Sequence, residues 1–276
     1  MMNNILKLSC LGASLAFSPL GLAVDYSDDI HKNDYKWLQF NLMYALEELP
    51  RAPDDPSGHD YLEMEFGGRS GIFDLYGYVD VFDLTDHDGS DKNNRPKIFM
   101  KFAPRASLDA MTKTDLSFGP VQELYIATLF NWDGGYSKES DFPPVNNSFW
   151  GIGSDIQVPW FGKVGLNLYG LYDINNKDWN GLQLSTNWFK PFYTFSNDSF
   201  IAYQGYIDYQ FAADDTFKGN SQANHGGVMF NGFYWHSNRY SVGYGFKLYN
   251  DVYLIEDSDS FESTGISHYF SVTYKF

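Results

Sequence analysis

The chain has 276 residues, a formal charge of −16 and 19% aromatic residues, with 21 Tyr and 24 Phe. The acidic balance argues against a nucleic-acid partner, which would call for clustered Lys and Arg. No stretch beyond the N-terminus offers the ~18 consecutive apolar residues of a spanning helix, so a membrane crossing has to be made by strands closed into a barrel.

The N-terminus reads as an export signal. Lys7 gives a basic start, Leu8 to Leu22 is an apolar core, and Gly21-Leu22-Ala23 is a small-x-small cleavage site. The expected division is a signal peptide over 1–23 and an outer-membrane barrel over 24–276. Cys10, the only cysteine, lies inside the signal and lacks the setting of a lipoprotein cysteine. The mature chain then has no thiol for catalysis, disulfides or zinc.

Period-two alternation begins after a polar lead. In a strand, successive side chains point to opposite faces. A first strand over 35–45 sets Leu38, Phe40, Leu42 and Tyr44 against Gln39 and Asn41. Over 60–69, Leu62, Met64 and Phe66 oppose Tyr61, Glu63 and Glu65. Over 72–83, Phe73, Leu75, Val79 and Val81 oppose Asp74, Tyr76, Tyr78 and Asp80. Over 97–107, Ile98, Met100 and Phe102 oppose Lys101 and Arg105. Further strands are expected over 121–132, with Glu123 and Tyr125 on the polar face, and over 149–158, with Asp155 there. Four more lie over 164–174, 181–192, 200–211 and 240–249. The segment 226–237 is harder to orient, because Met229, Phe233 and Trp235 make both of its faces apolar.

The closing strand, 265–276, carries Ile266, Phe270, Val272, Tyr274 and Phe276 on one parity and Ser267, Ser271, Thr273 and Lys275 on the other. It resembles the terminal strand of bacterial outer-membrane barrels, whose final aromatic is read by the assembly machinery. The total is twelve strands, and an even number fits a single-chain bacterial barrel. The expected fold is all-β, a transmembrane twelve-stranded antiparallel barrel. Short turns at 70–71, 159–163, 193–199 and 238–239 alternate with long connections at 46–59, 84–96, 133–148, 212–225 and 250–264. The long set is expected to face the medium, beside lipopolysaccharide.

In a barrel of this kind the charged parity faces the lumen. The candidate solute path is then Tyr61, Glu63, Glu65, Asp74, Tyr76, Tyr78, Asp80, Lys101, Arg105, Glu123, Tyr125 and Asp155. Asp173, Asp208, Lys247, Lys275, Tyr169, Tyr206 and Phe233 are read as facing the same way. Aromatic rings offer stacking surfaces and the charges offer hydrogen bonds to a flat, hydroxylated solute. The other reading of the same residues is that the charges only pair with one another around a water-filled pore.

Four segments carry a family resemblance: Asp60-Tyr61-Leu62-Glu63-Met64-Glu65, Phe73-Asp74-Leu75-Tyr76-Gly77-Tyr78-Val79-Asp80, Pro104-Arg105-Ala106-Ser107-Leu108-Asp109 and Thr114-Asp115-Leu116-Ser117-Phe118-Gly119-Pro120. They resemble the Tsx family of nucleoside-specific channel-forming outer-membrane proteins, most strongly over 60–126. The segment Asp34-Tyr35-Lys36-Trp37-Leu38-Gln39-Phe40-Asn41-Leu42-Met43 looks closer to the OmpK branch of marine Gram-negative bacteria, whose members are described as bacteriophage receptors. The resemblance implies a monomeric barrel in the outer membrane that passes nucleosides, with Glu63, Glu65, Asp74, Tyr76, Tyr78, Asp80, Arg105 and Glu123 as the residues matched best.

Two functions compete with nucleoside passage. One is a surface phage receptor with a general ion-conducting pore. The other is an outer-membrane phospholipase, which needs Ser and His within hydrogen-bond reach. His268 lies on the opposite parity from Ser267 and Ser271, and His236 borders Ser237 in a turn, so no enzyme is expected. Asp86-x-Asp88-Gly89-x-Asp91 resembles part of a calcium loop but lacks the spacing and terminal Glu of an EF-hand, so neither metal nor cofactor is expected.

Overall fold

The computed structural model describes residues 26, 28–54, 57–86, 89–92, 95–134, 144–214 and 222–276. The expected signal at 1–23 lies outside them, as does Asp88 of the calcium-like segment. The strands, in order, are β1 (Tyr35–Leu46), β2 (His59–Ser70), β3 (Phe73–Phe82), β4 (Ile98–Phe102), β5 (Arg105–Ser107), β6 (Val121–Gly134), β7 (Asn146–Val158), β8 (Gly162–Asp173), β9 (Asp178–Thr194), β10 (Phe200–Phe211), β11 (Gly226–His236), β12 (Tyr240–Asn250) and β13 (Gly265–Lys275). All neighbours pair antiparallel, and β1 pairs with both β2 and β13, which closes the sheet.

Thirteen segments make twelve wall strands. The expected strand over 97–107 is divided into β4 and β5 at Ala103-Pro104, because Pro has no N–H to give the ladder. The wall continues through the gap: Phe102 faces Phe130 on β6 and Arg105 faces Ala127, the same register. The Pro104 carbonyl accepts from the Thr128 N–H at 3.1 Å and from its hydroxyl at 2.9 Å. Lys101 and Arg105 therefore stay on one parity and point the same way.

The distribution of polarity decides the environment. Leu42 is 55% exposed and Ile152 66% exposed on the outer surface, while Glu123 is fully buried inside. A water-soluble protein arranges these the other way round. Only a surface facing lipid accounts for a continuous outer skin of Leu, Ile, Val, Phe and Tyr over a polar interior. No described helix is long and apolar enough to cross a membrane.

The connections fall into two sets at opposite ends. At the short-turn end, β2 and β3 join through Gly71-Ile72. Gly71 has φ +55°, in the left-handed region that a residue without Cβ enters freely, and its N–H donates to Asp34 Oδ1 at 2.8 Å. The 108–120 connection, long for this end, is built around the helix α1 (Leu108–Thr112). Ser107 caps it, accepting from the Ala110 N–H at 3.0 Å. The buried Asp109 carboxylate then accepts the N–H groups of Leu116 at 2.9 Å and Leu124 at 3.1 Å, fixing the segment 114–120 against the wall.

At the long-loop end, the connection between β1 and β2 crosses toward the one between β12 and β13. Arg51 and Glu262 exchange backbone hydrogen bonds at 3.0 and 2.8 Å, and Arg51 Nε reaches Glu262 Oε2 at 3.0 Å. Beneath this bridge, Leu49 packs on Tyr249 and Val252, with Val228 against them. This mouth is therefore partly roofed by the chain's own connections.

Candidate functional site

A cavity of about 490 Å³ runs through the barrel, bordered near the long-loop end by Glu48, Tyr61 and Tyr269 and near the short-turn end by Phe161, Lys163, Lys190 and His236. Ten of the twelve residues read as the solute path border it: Tyr61, Glu63, Glu65, Asp74, Tyr76, Tyr78, Asp80, Lys101, Arg105 and Asp155. Strand pairing explains the grouping. β2 and β3 are neighbours in a register that sets Glu63 beside Asp80 and Glu65 beside Tyr78.

The acids on β2 are held by amides of β1. Asn41 Nδ2 donates to Glu63 Oε1 at 2.5 Å and to Glu65 Oε2 at 3.2 Å, and the Tyr76 hydroxyl donates to Glu65 Oε1 at 2.9 Å. Tyr76 lies in an aromatic row, 6.3 Å from the ring of Trp37 and 6.2 Å from that of Tyr78, which in turn lies 6.0 Å from Phe99. Midway along the lumen, Lys101 Nζ donates to Asp208 Oδ2 at 3.0 Å, and the Ser185 hydroxyl holds the other oxygen at 2.6 Å.

Glu123 and Tyr125 face inward but do not border the cavity. Both are fully buried in a network that fills one side of the short-turn end. Arg69 Nη1 reaches Glu123 Oε2 at 2.9 Å, and the Tyr26 hydroxyl donates to Glu123 Oε1 at 2.7 Å. The Tyr125 hydroxyl donates to Glu123 at 2.7 Å and to Asp155 at 3.1 Å. Arg105 lies over the Tyr125 ring at 3.9 Å and bridges Asp74, at 2.9 Å, to Asp155, at 3.0 Å. Lys163 closes the chain on Asp155 at 2.8 Å. Every carboxylate in it has a cationic or hydroxyl partner, which buried charges require. Asp74, Arg105, Asp155 and Lys163 of this network also border the cavity.

Phe233, read as a lumen residue, is on the outer face. It is 48% exposed and stacks on the outward Tyr203 at 5.2 Å. Phe230 and Tyr234 take the inner face of β11 instead. The neighbour strand makes this possible. The inner face of β12 carries Gly243 and Gly245, and a Cβ there would sit 2.1 Å from the Tyr234 ring and 2.4 Å from the Phe230 ring. The two rings lie flat on bare backbone. Phe230 also stacks on Tyr206 at 5.8 Å, giving a second aromatic row apart from the first.

Glu48 and Trp37 were not singled out by the sequence reading, yet both border the cavity. Glu48 comes from the connection after β1, and its carboxylate meets Lys92 Nζ at 2.8 Å, the Tyr269 hydroxyl at 2.8 Å and Lys247 Nζ at 3.3 Å. His59 Nε2 lies 3.5 Å away. Burial would push the Glu48 carboxyl up, but Lys92, Lys247 and His59 overcome this and hold it well below the usual carboxylate range.

No catalytic pair forms from the histidines considered above. His268 Nδ1 is hydrogen-bonded to the Tyr244 hydroxyl at 2.7 Å, and His236 Nδ1 accepts from Lys275 Nζ at 3.1 Å. Among the described residues, no group of three or more His, Cys, Asp or Glu is placed to hold a metal ion. Asp91, in the calcium-like segment, is engaged with His59 Nδ1 at 2.7 Å.

A closed twelve-strand barrel with an apolar skin and a polar, traversed interior defines a bacterial outer-membrane β-barrel. Residues 32–276 match the model of the family described as nucleoside-specific channel-forming protein, Tsx. The chain is 66% identical, over the full length of both chains, to outer membrane protein OmpK of Vibrio parahaemolyticus serotype O3:K6. It is 30% identical to the nucleoside-specific channel-forming protein Tsx of Klebsiella aerogenes, over 78% of this chain and 81% of that one. The chain belongs to the Tsx family and is an outer-membrane protein.

Proposed function

We propose that this protein is a passive channel for nucleosides and similar small hydrophilic solutes, with residues 1–23 removed on export. The observation that carries this reading is the lumen itself. A cavity of about 490 Å³ is in the range of small-molecule sites. It has one aromatic row at Trp37, Tyr76 and Tyr78 and another at Tyr206, Phe230 and Tyr234, with ionised groups between them. A base with an attached sugar needs a flat contact for one part and hydrogen-bonding groups for the other. The name of the Klebsiella relative supports the same solute class. The test is single-channel current in planar bilayers. Addition of a nucleoside should reduce the current in a saturable way, and free ribose should do so far less. Absence of block by any nucleoside would leave a general pore.

The long-loop end faces the medium in this reading, and its connections form the surface available to a bacteriophage. The alternation of loop lengths and the shared end of both chain termini support that orientation. Epitope tags in the connections after β1 and β12 should be reached by antibody on intact cells. Labelling of tags at Gly71 or Asn238 alone would mean the opposite orientation.

A further inference from the structure

Among the described residues, Glu48 is the one acid of the lumen lining that comes from a connection, and its carboxylate accepts from Lys92, Lys247 and Tyr269, with the His59 ring nitrogen 3.5 Å away. His59 begins β2, Lys92 lies between β3 and β4, Lys247 is on β12 and Tyr269 is on β13. Each donor is held by contacts that do not involve Glu48. Lys92 lies 4.8 Å over the Phe82 ring and Lys247 lies 4.4 Å over the Tyr269 ring. The Tyr269 hydroxyl is 2.9 Å from that of Tyr249, and the fully buried His59 is fixed by Asp91. The donors are thus part of the wall and its braces, while the acceptor is a single side chain on a crossing segment.

We propose that these donors form an anion site at the long-loop mouth, that Glu48 is its built-in occupant, and that a dissolved solute bearing a phosphate group takes its place and moves the connection after β1 off the mouth. The charge balance favours phosphate. Removing Glu48 leaves the ammonium groups of Lys92 and of the cavity-lining Lys247 without their shared carboxylate, and a phosphate carries about 1.5 to 2 negative charges with three strong acceptor oxygens. A carboxylate brings one charge and two oxygens. The intruder competes against an acceptor tethered to the same chain, whose effective concentration is on the order of millimolar. The exchange therefore belongs to millimolar phosphate rather than to trace amounts. The cavity-lining position of Glu48, Lys247 and Tyr269 means that the phosphate is that of a solute in water and not of a lipid headgroup. This inference goes beyond the nucleoside reading and rests on it only for the conductance measurement described next.

The experiment uses the full mature chain in phosphatidylcholine vesicles, with Asp54→Cys carrying a nitroxide label. The mature chain otherwise has no cysteine, and Asp54 is exposed on the crossing connection. Sodium phosphate is titrated against sodium chloride at constant ionic strength. Phosphate should increase label mobility in the millimolar range and chloride should not. Glu48→Gln, which keeps the side-chain shape, should lower the half-effective phosphate concentration about tenfold or more, and Lys92→Gln should abolish the response. In the same vesicles a nucleoside 5′-monophosphate should produce the label response and the nucleoside alone should not, whereas current block in bilayers is expected of the nucleoside itself. An unchanged label in phosphate, an unaltered midpoint in Glu48→Gln, or a full response in Lys92→Gln overturns the proposal. Nucleoside block is scored in the same bilayers, so loss of the channel reading and loss of the anion site are separate outcomes.

Discussion

Lys101 and Asp208 meet at 3.0 Å although they stand on β4 and β10, five strand steps apart around a wall of twelve. The contact therefore spans the lumen. It acts as a crossbar with an aromatic cover, since Lys101 Nζ also lies 5.4 Å from the Tyr206 ring. A solute moving along the axis has to pass beside this ion pair, on the side where the rings are.

Removing the crossbar should widen the passage. Lys101→Ala leaves Asp208 hydrogen-bonded to the Ser185 hydroxyl, and water in the lumen supplies the rest of its solvation. The expected result is a higher single-channel conductance with assembly retained, and a shift of ion selectivity toward cations because a positive charge has gone. Reversal potential in a salt gradient measures the shift. An unchanged conductance would place the narrowest point elsewhere, and Glu48 is the next place to look.

The aromatic row is tested by Tyr76→Ala with Tyr78→Ala. Base–aromatic stacking contributes about 1–3 kcal/mol per base, and tenfold in affinity corresponds to about 1.4 kcal/mol. Loss of both rings should raise the nucleoside concentration for half-block about tenfold or more and slow uptake at low concentration. Tyr76→Ala also frees one oxygen of Glu65, so Tyr76→Phe with Tyr78→Phe is the companion variant. It keeps the rings and should retain most of the block. Equal loss in both pairs would assign the effect to the hydroxyls.

Arg69 holds the opposite kind of position, buried in the wall-side network and not bordering the cavity. Its guanidinium serves Glu123, Tyr125, Tyr26 and Asp74. Arg69→Met strands the fully buried Glu123 with only two phenols, and breaking a buried pair by removing one partner costs about 3–5 kcal/mol. The urea midpoint for loss of the folded band on unheated gels should fall clearly. Adding Glu123→Gln removes the stranded charge and should recover a large part of the loss. If the double variant is weaker than the single one, the network is held by Tyr125 and Asp155 instead.

The barrel itself was legible because parity is a strict rule along a strand. Once one charged residue is assigned to the lumen, every second residue follows, and Glu63, Asp74, Tyr78 and Lys101 are inward for that reason. The same rule fails where both parities are aromatic. On β11 it put Phe233 inside, whereas the deciding information sits on the next strand, where Gly243 and Gly245 leave room for Tyr234 and Phe230. Connections have no parity at all. Glu48 follows a strand and precedes Leu49-Pro50, and nothing in that pattern says that its carboxylate turns inward to two lysines that stand 44 and 199 residues away. Tyr26 and Glu123, 97 residues apart, are equally beyond local reading.

The crossing connection should be sensitive to acid through Glu48. The groups facing its carboxylate are Lys92, Lys247, His59 and Tyr269, with Asp91 behind His59. Its folded pKa lies well below the ordinary carboxylate value, because the positive neighbours outweigh burial. A depressed carboxylate pKa means that the unfastened state binds the proton more readily than the fastened one. The fastening is therefore at full strength above the ordinary value of about 4.3 and weakens as pH falls from there through the lower folded value. A label on residue 54 should report a constant, restricted mobility from neutrality down to about pH 4–5 and a rise below it. Glu48→Gln, whose neutral amide stays in the same place but carries no titrating proton, should lack this acid transition, although other lumen carboxylates still titrate in it. If the same acid transition persists in Glu48→Gln, the fastening belongs to Arg51 and Glu262, whose ion pair joins the same connection to the one after β12.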